Sequence, residues 1–404
     1  MRKKIIILGG GAAGFFCAIE VKRLNPECSV IILEKTKQLL GKVKISGGGR
    51  CNVTHSCFTP KELCTNYPRG SKELRGVFHT FQPLDTISWF EERGVELKTE
   101  SDGRMFPVTD SSQTIIDTFL NEAHKLGVEV RMQAGARKLE QTKKGWSVIT
   151  DKETLDAEAL VITTGSSTKV WNVLSGMGHG IIEPVPSLFT FNISDKDLHE
   201  LAGLSIPEVT ISLEGTKLSS SGVLLFTHWG VSAPAVLKLS AAAARVLHER
   251  DYKFKIFVDF ISSTSREDLA LVFDHARVSS QKKVINHNPL LLPKRFWFYL
   301  LDKANIPEER LWAELRKKEQ NMLIELLKRM TLEVNGKSTF KEEFVTSGGV
   351  DLRQVNFKTM ESKLHKGLYF SGEVLNVDAF TGGFNFQAAW STAHVAAVAL
   401  AKKD

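Results

Sequence analysis

The hydrophobic pattern at the start of the chain predicts a strand, a tight turn and a helix. Residues 5–8 form an unbroken apolar run, mostly β-branched, which is typical of a buried strand. Glycine and alanine fill positions 9–14, and residues 15–24 then place apolar side chains at helical spacing. A second apolar run at 30–33 ends in Glu34, so this segment predicts the first βαβ unit of a parallel sheet.

The same pattern continues through the first half of the chain and returns at its end. Alternation of strand-like and helix-like segments predicts a doubly wound α/β domain. The predicted elements are strands at 128–132 and 159–162 and within 367–373, a hairpin at 146–156, and helices over 72–94 with a break at Pro83, from Ser112 to Leu126 and from Ala388 to Ala401.

The pattern changes near Pro184 and Pro186. From 188 to about 258 it consists of short alternating stretches, which predict antiparallel strands, and residues 266–331 are helical in pattern. These segments together predict a module inserted into the α/β domain. The aromatic residues at 296–299 are better explained as core than as a base-stacking platform.

The first glycine turn carries candidate chemistry. Gly9 permits the turn, Gly11 lets a pyrophosphate approach the backbone, and Gly14 allows close packing of the helix on the strand. The N–H groups of the helix N-terminus can then receive the phosphates. The carboxylate of Glu34 can accept the hydroxyls of an adenosine ribose, so a dinucleotide site is predicted, and a tight turn without ligand is the alternative. The candidate contacts are Gly9, Gly11, Ala12, Ala13, Gly14, Glu34 and Lys35.

A second glycine-rich stretch lies at 41–54. Its lysines, adjacent glycines and arginine predict a loop with many backbone donors and positive charge, which suits an anionic cofactor. A flexible surface loop is the alternative. The candidate contacts are Lys42, Ser46, Gly47, Gly48, Gly49 and Arg50, and Arg50 and Asn52 are also candidates for groups beside the reacting ring.

The C-terminal part of the chain repeats the arrangement of a strand, a glycine turn and a helix. Glu373 can bond a polyol, and N–H groups of the helix start can face the electron-rich carbonyl of a reduced flavin. Two glycine-rich helix starts at opposite ends of the chain favour FAD over a nicotinamide as the tightly held cofactor, whereas a plain C-terminal helix is the alternative. The candidate contacts here are Thr164, Gly165, Gly372, Glu373, Gly383, Phe384 and Asn385, with backbone near Ala136 facing the adenine.

Composition and charge limit the classes of partner that we expect this protein to bind. The formal charge of +7 leaves an RNA substrate open, because basic proteins approach phosphate-rich partners. No apolar run is long enough to span a bilayer, so we expect a cytoplasmic protein that binds neither membrane nor DNA. The five cysteines lie in the first sixth of the chain without a CxxC pair, which favours free thiols and predicts no metal site. The oligomeric state stays open.

Four stretches resemble a known family. They are GK-x3-SGGGRCN at 41–52, DGR-x-FP at 102–107, LLFTH-x-G at 224–230 and GE-x11-N at 372–385. The family is that of bacterial NAD(P)/FAD-dependent oxidoreductases with two dinucleotide-binding domains, which includes the aminoacetone oxidases and BaiN-type flavoproteins. Its usual pattern is altered at Thr163–Ser166, Ala233, Asn376 and Phe384.

The resemblance implies a Rossmann-like FAD-binding domain of the α/β class with an inserted antiparallel β-barrel and a helical subdomain. The implied boundaries are 1–186 and 346–404 for the FAD-binding domain, 187–262 and 332–345 for the barrel, and 263–331 for the helical subdomain. It further implies that Glu34 holds the adenosine ribose and Ala136 the adenine. Glu373, Phe384 and Asn385 would hold the ribityl and isoalloxazine portions.

The resemblance also implies flavin hydride chemistry. We expect an FAD-dependent oxidoreductase that reduces a conjugated C=C bond of a small molecule, with NAD(P)H docking transiently because no second GxGxxG is present. Structured RNA is the alternative substrate, through dihydrouridine formation in large-subunit ribosomal RNA. An amine oxidase of the aminoacetone type and a non-catalytic redox sensor also stay open. His228, in the turn at 227–230, is a candidate proton donor or a structural histidine.

Overall fold

The computed structural model describes residues 2–338 and 345–402. The elements up to residue 187 are β1 (Lys4–Leu8), α1 (Ala12–Leu24), β2 (Ser29–Glu34), α2 (Gly41–Gly49), β3 (Thr54–His55), α3 (Pro60–Cys64), α4 (Ser71–Thr80), α5 (Pro83–Glu91), β4 (Leu97–Thr99), β5 (Arg104–Pro107), α6 (Ser112–Lys125), β6 (Glu129–Met132), β7 (Ala136–Thr142), β8 (Gly145–Thr150), β9 (Thr154–Ala157), β10 (Ala159–Ile162), α7 (Thr168–Gly176) and β11 (Ile181–Ser187).

A second group of elements follows between 190 and 338. It comprises β12 (Thr190–Ile193), α8 (Lys196–His199), β13 (Ser205–Leu213), β14 (Ser219–Thr227), β15 (Gly230–Ser232), α9 (Pro234–Ala242), α10 (Ala244–Glu249), β16 (Lys253–Asp259), α11 (Arg266–Ser279), α12 (Lys294–Lys303), α13 (Lys317–Arg329) and β17 (Met330–Ser338). The chain ends with β18 (Val345–Val350), β19 (Val355–Asn356), β20 (Glu361–Ser362), β21 (Leu368–Phe370) and α14 (Phe384–Ala401).

The described residues divide into two compact units. One unit takes the chain as far as Pro186 together with its C-terminal part from 345, and the other runs from Ser187 to Ser338. The predicted separation of the second unit into a barrel and a helical subdomain stays a prediction. The predicted return to the FAD-binding domain at 345–346 adjoins residues 339–344, which lie outside the described residues.

A seven-stranded sheet of order β19-β20-β21-β10-β1-β2-β6 forms the centre of the first unit. β1 lies between two parallel neighbours, with Ile5 opposite Val30 on β2 and Ala159 on β10. Strands with neighbours on both sides and helices over their faces are buried, which explains why residues 5–8 are apolar throughout. The α/β fold class predicted from the sequence is confirmed.

Helices α1 and α14, from opposite ends of the chain, pack against each other and enclose a charged group. The Glu20 side chain is 1% exposed. Its carboxylate accepts hydrogen bonds from Arg23 (2.8 Å), from the indole of Trp89 (2.9 Å) and from His394 (2.9 Å). This ion-pair network joins the first and last helices of the unit.

Two predicted elements need correction. The segment at 41–54, predicted as a loop, begins as α2, and its helical geometry ends at Ser46, where ψ becomes 147°. The last helix begins at Phe384, one turn before the predicted start at Ala388. Both helices adjoin glycines with positive φ, and glycine weakens the helical signal in a sequence.

Other boundaries agree closely with the sequence pattern. The helical region at 72–94 is two helices separated just before Pro83, because proline cannot donate the hydrogen bond that would continue the first one. The next helix begins at the predicted Ser112, but its cap is Ser111, whose hydroxyl accepts the N–H of Gln113 at 3.3 Å.

The second unit contains a closed barrel of order β12-β15-β14-β13-β16-β17, with antiparallel pairing throughout. Its alternating sequence follows from this closure, because every second side chain faces the interior. The helices α11, α12 and α13 share the hydrophobic core of the barrel. Phe296, Trp297 and Tyr299 are buried there, which confirms their prediction as core residues.

Candidate active site

The turn between β1 and α1 has geometry that only glycine satisfies at two positions. Gly9 has φ +114°, and a Cβ atom there would lie 2.5 Å from the carbonyl oxygen of Thr163. A Cβ atom on Gly14 would lie 2.0 Å from the carbonyl oxygen of Gly9. By contrast, no described atom lies within 4 Å of a Cβ built on Gly11, so the backbone is open there. These are the three roles that the sequence assigns to these glycines.

The N-terminus of α1 suits an anion. The N–H groups of Ala12, Ala13 and Gly14 lie in the first turn, where the helix itself supplies no acceptor. No acidic side chain lies in this turn, and the cap residue is Gly11. The positive end of the helix dipole therefore faces the open side of the turn, and no acidic side chain of the first turn of α1 neutralises it.

Glu34 lies at the end of β2, beside this turn. Its carboxylate accepts the N–H of Gly10 at 2.9 Å and that of Thr36 at 2.8 Å. These two bonds orient the carboxylate, which retains lone pairs for ribose hydroxyls.

The segment before β7 lies against the same corner. The N–H of Ala134 donates to the carbonyl of Glu34 at 2.9 Å, and a Cβ on Gly135 would lie 2.9 Å from the Cβ of Lys35. Ala136 follows directly and begins β7. The predicted ribose and adenine contacts Glu34, Lys35 and Ala136 are thus brought together.

The C-terminal glycine turn meets the first one. A Cβ atom on Gly372 would lie 3.0 Å from the Cβ of Ala13. Next to it, Glu373 forms an ion pair with Lys42 and accepts the N–H of Thr346 at 3.2 Å. A Cβ on Gly165 would lie 3.4 Å from the same carboxylate. Residues predicted from three distant motifs therefore form one cluster.

Three buried polar atoms lie on residues that are close in sequence to members of this cluster. The hydroxyl of Thr164, the hydroxyl of Ser347 and the side-chain oxygen of Asn376 are buried, and none has a hydrogen-bond partner among the described residues. Buried polar groups normally find a partner. Thr164 adjoins Gly165 in the chain, and Ser347 adjoins Thr346, whose N–H donates to Glu373.

The three glycines that end α2 remain accessible on one side. Gly47, Gly48 and Gly49 have φ of 58°, 68° and 83°. No described atom lies within 4 Å of a Cβ on Gly48 or Gly49, so a ligand can approach their backbone. The hydroxyl of Ser46 donates to the carbonyl of Val43 at 2.9 Å and caps the helix.

Arg50 lies against the DGR-x-FP stretch. Its guanidinium lies 3.9 Å from the centroid of the Phe106 ring, and it pairs with Glu100 at 2.6 Å and Asp110 at 3.5 Å. Arg104 bonds the other oxygen of Glu100 at 2.9 Å. Two sequence motifs are thus joined by one ion-pair network. The charge of Arg50 is largely neutralised, and its role beside the reacting ring stays a prediction.

Asn52 contacts the C-terminal turn directly. The surrounding groups assign the orientation of its amide: the oxygen then accepts the N–H of Gly383 at 2.9 Å, and the nitrogen donates to the carbonyls of Met105 and Thr54 at 3.2 and 3.0 Å. The N–H of Gly383, predicted to face the flavin, is therefore bonded within the protein. The predicted contact of Gly383 with the cofactor stays a prediction.

The first turn of α14 is anchored on several sides. The hydroxyl of Tyr67 donates to the carbonyl of Phe384 at 2.6 Å. The side chain of Asn385 accepts the N–H of Ala379 at 3.0 Å and donates to its carbonyl at 3.2 Å. Asn385 thus holds the preceding loop with its side chain, and only its backbone N–H faces outward from the helix start.

Sequence reasoning missed His55 at this turn. Its ring stacks on Phe384 with 4.6 Å between centroids, and its Nε2 lies 3.1 Å from the carbonyl oxygen of Asp102. The signal was available, since His55 comes three residues after Asn52 in the same motif. A strand that begins a few residues after the glycine run at 47–49 carries its side chains to the same place.

His228 belongs to the second unit. It is exposed in the turn between β14 and β15. Next to it, a Cβ on Gly230 would lie 2.2 Å from the carbonyl of Phe191, so the turn packs closely on β12. Its role as a proton donor stays a prediction.

The residues of the first unit fit FAD. The open backbone at Gly11 suits a pyrophosphate, Glu34 suits a ribose, and the Glu373 carboxylate beside Gly165 suits a polyol chain. The uncapped positive end of α14 suits the pyrimidine carbonyls of a flavin. Together these features define a flavoprotein of the FAD-dependent oxidoreductase class.

The chain belongs to the HI0933-like protein Rossmann domain family, whose model matches residues 3–399. This match confirms the resemblance seen in the sequence. The chain is 29% identical over 402 residues to the ribosomal RNA dihydrouridine synthase of Escherichia coli, covering 96% of this chain and 95% of that protein. It is 28% identical over 413 residues to the Haemophilus influenzae protein of the same name, covering 98% of both.

A third relative carries a different name. The chain is 25% identical over 411 residues to the 3-dehydro-bile acid delta(4,6)-reductase of Clostridium scindens, covering 99% of both chains. These three relatives match over nearly their whole lengths.

Two further properties concern the part of the chain that is described. Within residues 2–338 and 345–402, no helix combines the length and apolar character needed to cross a bilayer. In the same residues, no three His, Cys, Asp or Glu side chains come together as metal ligands. Four of the five cysteines are buried, and Cys57 is half-buried.

Proposed function

We propose that this protein reduces a C=C bond conjugated to a carbonyl group and that NAD(P)H supplies the electrons. The observation that carries the proposal is the N-terminus of α14, whose first turn contains no acidic side chain and is anchored by Asn52, Tyr67 and Asn385. A preorganised positive helix end favours a cofactor that becomes negatively charged on reduction.

The relatives support the same reaction type. FAD held by these residues and reduced by NAD(P)H would supply a hydride to the β-carbon of an unsaturated carbonyl compound, and a proton would add to the α-carbon. A delta(4,6)-reductase by its name reduces C=C bonds. Dihydrouridine arises from uridine by the same addition, since the C5=C6 bond of uracil is conjugated to the C4 carbonyl. One active site thus suffices for either substrate class.

In this reaction the residues of the chain bind and orient the cofactor. The α1 N-terminus and Gly11 hold the pyrophosphate, while Glu34 and the backbone at Ala136 hold the adenosine. Glu373, with Lys42 as its counter-ion, orients the polyol. The first-turn N–H groups of Phe384 and Asn385 stabilise negative charge at the pyrimidine end of the ring.

Structured RNA is a second candidate substrate. Two full-length relatives at 28% and 29% identity are named for ribosomal RNA dihydrouridine synthesis. The formal charge of +7 also suits a polyanionic partner. This candidate predicts RNA binding with a steep dependence on salt, measured as the slope of log K against log salt concentration.

An anaerobic stopped-flow experiment tests the electron source. The purified FAD-loaded protein is mixed with NADH or NADPH, and the flavin absorbance is followed. We expect fast bleaching with one of them, and reoxidation when an enone or a uridine-containing RNA is then added. A flavin that stays oxidised would contradict the nicotinamide step and favour an amine oxidase or a redox sensor.

His228→Ala tests the proton donor. If His228 supplies the proton, we expect turnover to fall roughly 100-fold while the affinity for FAD and the bleaching by NAD(P)H are unchanged, because general acids typically contribute 10²–10⁴-fold. His275→Ala, at an exposed histidine of α11 in the same unit, is the matched control. Equal turnover of the two variants and the wild type would remove His228 from the mechanism.

A further inference from the structure

We propose that Asn52 is a positioning residue that sets the reduction potential of the flavin by fixing the N-terminus of α14. The inference rests on the proposed placement of the flavin ring at that terminus. The predicted contact of Asn52 with the reacting ring stays a prediction.

The amide of Asn52 has a partner for each of its functions. Asn52 is 9% exposed. Its side-chain oxygen accepts the N–H of Gly383, and its side-chain nitrogen donates to the carbonyls of Met105 and Thr54. The carbonyl of Met105 also accepts the N–H of Val53 at 2.9 Å. The Asn52 amide therefore offers one acceptor to Gly383 and donors to both carbonyls, a set that among the small side chains only asparagine has. Asn52 therefore connects the SGGGRCN stretch to the start of α14.

Gly383 determines where α14 begins. It has φ +87°, and a Cβ there would lie 2.5 Å from the carbonyl oxygen of Thr54, so the turn is pressed against β3. Its carbonyl accepts the N–H of Gln387 at 3.0 Å, which is the first hydrogen bond of the helix. The N–H groups of Phe384, Asn385 and Phe386 consequently have no acceptor within α14.

This arrangement separates two kinds of donor. The N–H of Gly383 donates to Asn52. The N–H groups of the next three residues point together along the helix axis. A ligand that develops negative charge at this end is stabilised by their combined dipole. The direction of that dipole depends on the anchored turn, and the turn is anchored by the amide of Asn52.

The charge of residue 52 should therefore affect the potential. In Asn52→Asp the introduced carboxylate still accepts the N–H of Gly383, but it faces the carbonyls of Met105 and Thr54 without a donor. Its negative charge lies beside the helix end that stabilises reduced flavin. Protonation of the carboxyl would restore both a donor and neutrality.

The test is the midpoint potential of the FAD-loaded protein, measured by dye equilibration between pH 5 and pH 9. Compared with the wild type, we expect Asn52→Asp to have a lower potential at high pH and a potential that approaches the wild-type value as the carboxyl is protonated. Asn52→Leu should lower the potential at every pH. Asn121→Asp, at an exposed position of α6, adds the same charge and should leave the potential unchanged.

Hydrogen exchange of the wild type tests the contact without a substitution. We expect the Gly383 amide to be protected in the apoprotein, whereas those of Phe384 and Asn385 gain protection only when FAD is added. A Gly383 amide that exchanges freely, or an Asn52→Asp potential equal to that of the wild type with FAD bound, would overturn the inference. Neither measurement uses a substrate, so an incorrect substrate class would not affect them.

Discussion

Replacing Gly14 with alanine is expected to abolish FAD binding by destabilising the first unit itself. A methyl group at this position would lie 2.0 Å from the carbonyl oxygen of Gly9, so α1 would have to move away from β1. The positions of Gly9 and Gly14 are both set by the backbone. Overpacking of this kind lowers the free energy of unfolding by about 3 kcal/mol. The expected result is a lower melting temperature of the apoprotein, measured by circular dichroism, together with loss of the bound flavin spectrum.

Gly11→Ala is the matched variant, because it changes the ligand surface and not the packing. No described atom lies within 4 Å of a Cβ there, and φ is −96°, which alanine adopts readily. We expect an unchanged melting temperature and an affinity for FAD that falls roughly tenfold or more, since the methyl group holds the pyrophosphate away from the backbone.

The contrast between the two variants is the decisive readout. Gly76→Ala, in the middle of α4 with open space around its Cβ, is expected to leave FAD affinity unchanged and to stabilise the helix slightly. If Gly11→Ala binds FAD as the wild type does, the pyrophosphate does not lie over this turn, and the assignment of the site would be wrong.

Removing the charge of Glu20 is expected to have the second large effect, on stability. Burial alone would raise the pKa of this carboxyl, but hydrogen bonds from His394, Arg23 and Trp89 outweigh burial and lower the pKa to about 2. Because the pKa lies below the ordinary value of 4.5, folding favours the ionised form of Glu20. The difference corresponds to about 3 kcal/mol of folding free energy near neutral pH.

The sign of the pH dependence follows from this depression. The contribution is present in full above pH 4.5 and is lost as the pH falls toward 2, because the unfolded chain then binds a proton that the folded protein resists. We expect Glu20→Gln to lower the free energy of unfolding by about 3 kcal/mol at pH 7 and to unfold with a flatter pH dependence below pH 5.

Denaturant titrations at pH 7, 5 and 3 measure both effects. Glu27→Gln, at an exposed glutamate in the loop after α1, is the control and should behave as the wild type. A loss that is the same at pH 3 and pH 7 would show that Glu20 contributes through packing and not through its charge.

Local features of the chain could be predicted because they depend on neighbours in sequence. The apolar run at 5–8, the glycines at 9, 11 and 14, and the acid at 34 each follow from the geometry of one strand, one turn and one helix. The break at Pro83 and the antiparallel alternation of 205–213 are local in the same sense. Likewise, the burial of Phe296 and Trp297 follows from apolar periodicity.

Other features depend on contacts between distant segments. That Asn52 bonds Gly383, and that Arg50 shares Glu100 with Arg104, involves partners that no spacing in the sequence predicts. For the same reason α2 was predicted as a loop, since a contact such as that of its Lys44 carbonyl, which accepts the hydroxyl of Ser112 at 2.8 Å, is not visible in the local sequence.

The sequence by itself determined the fold class, the two glycine-rich helix starts and the kind of cofactor they can hold, because backbone geometry at glycine and the periodicity of apolar residues are local constraints. Only the tertiary structure decided which donors at those helix starts remain available to a ligand. An N–H group that already donates within the protein is not available to a ligand. The side chain that accepts the N–H of Gly383 lies more than three hundred residues away in the chain.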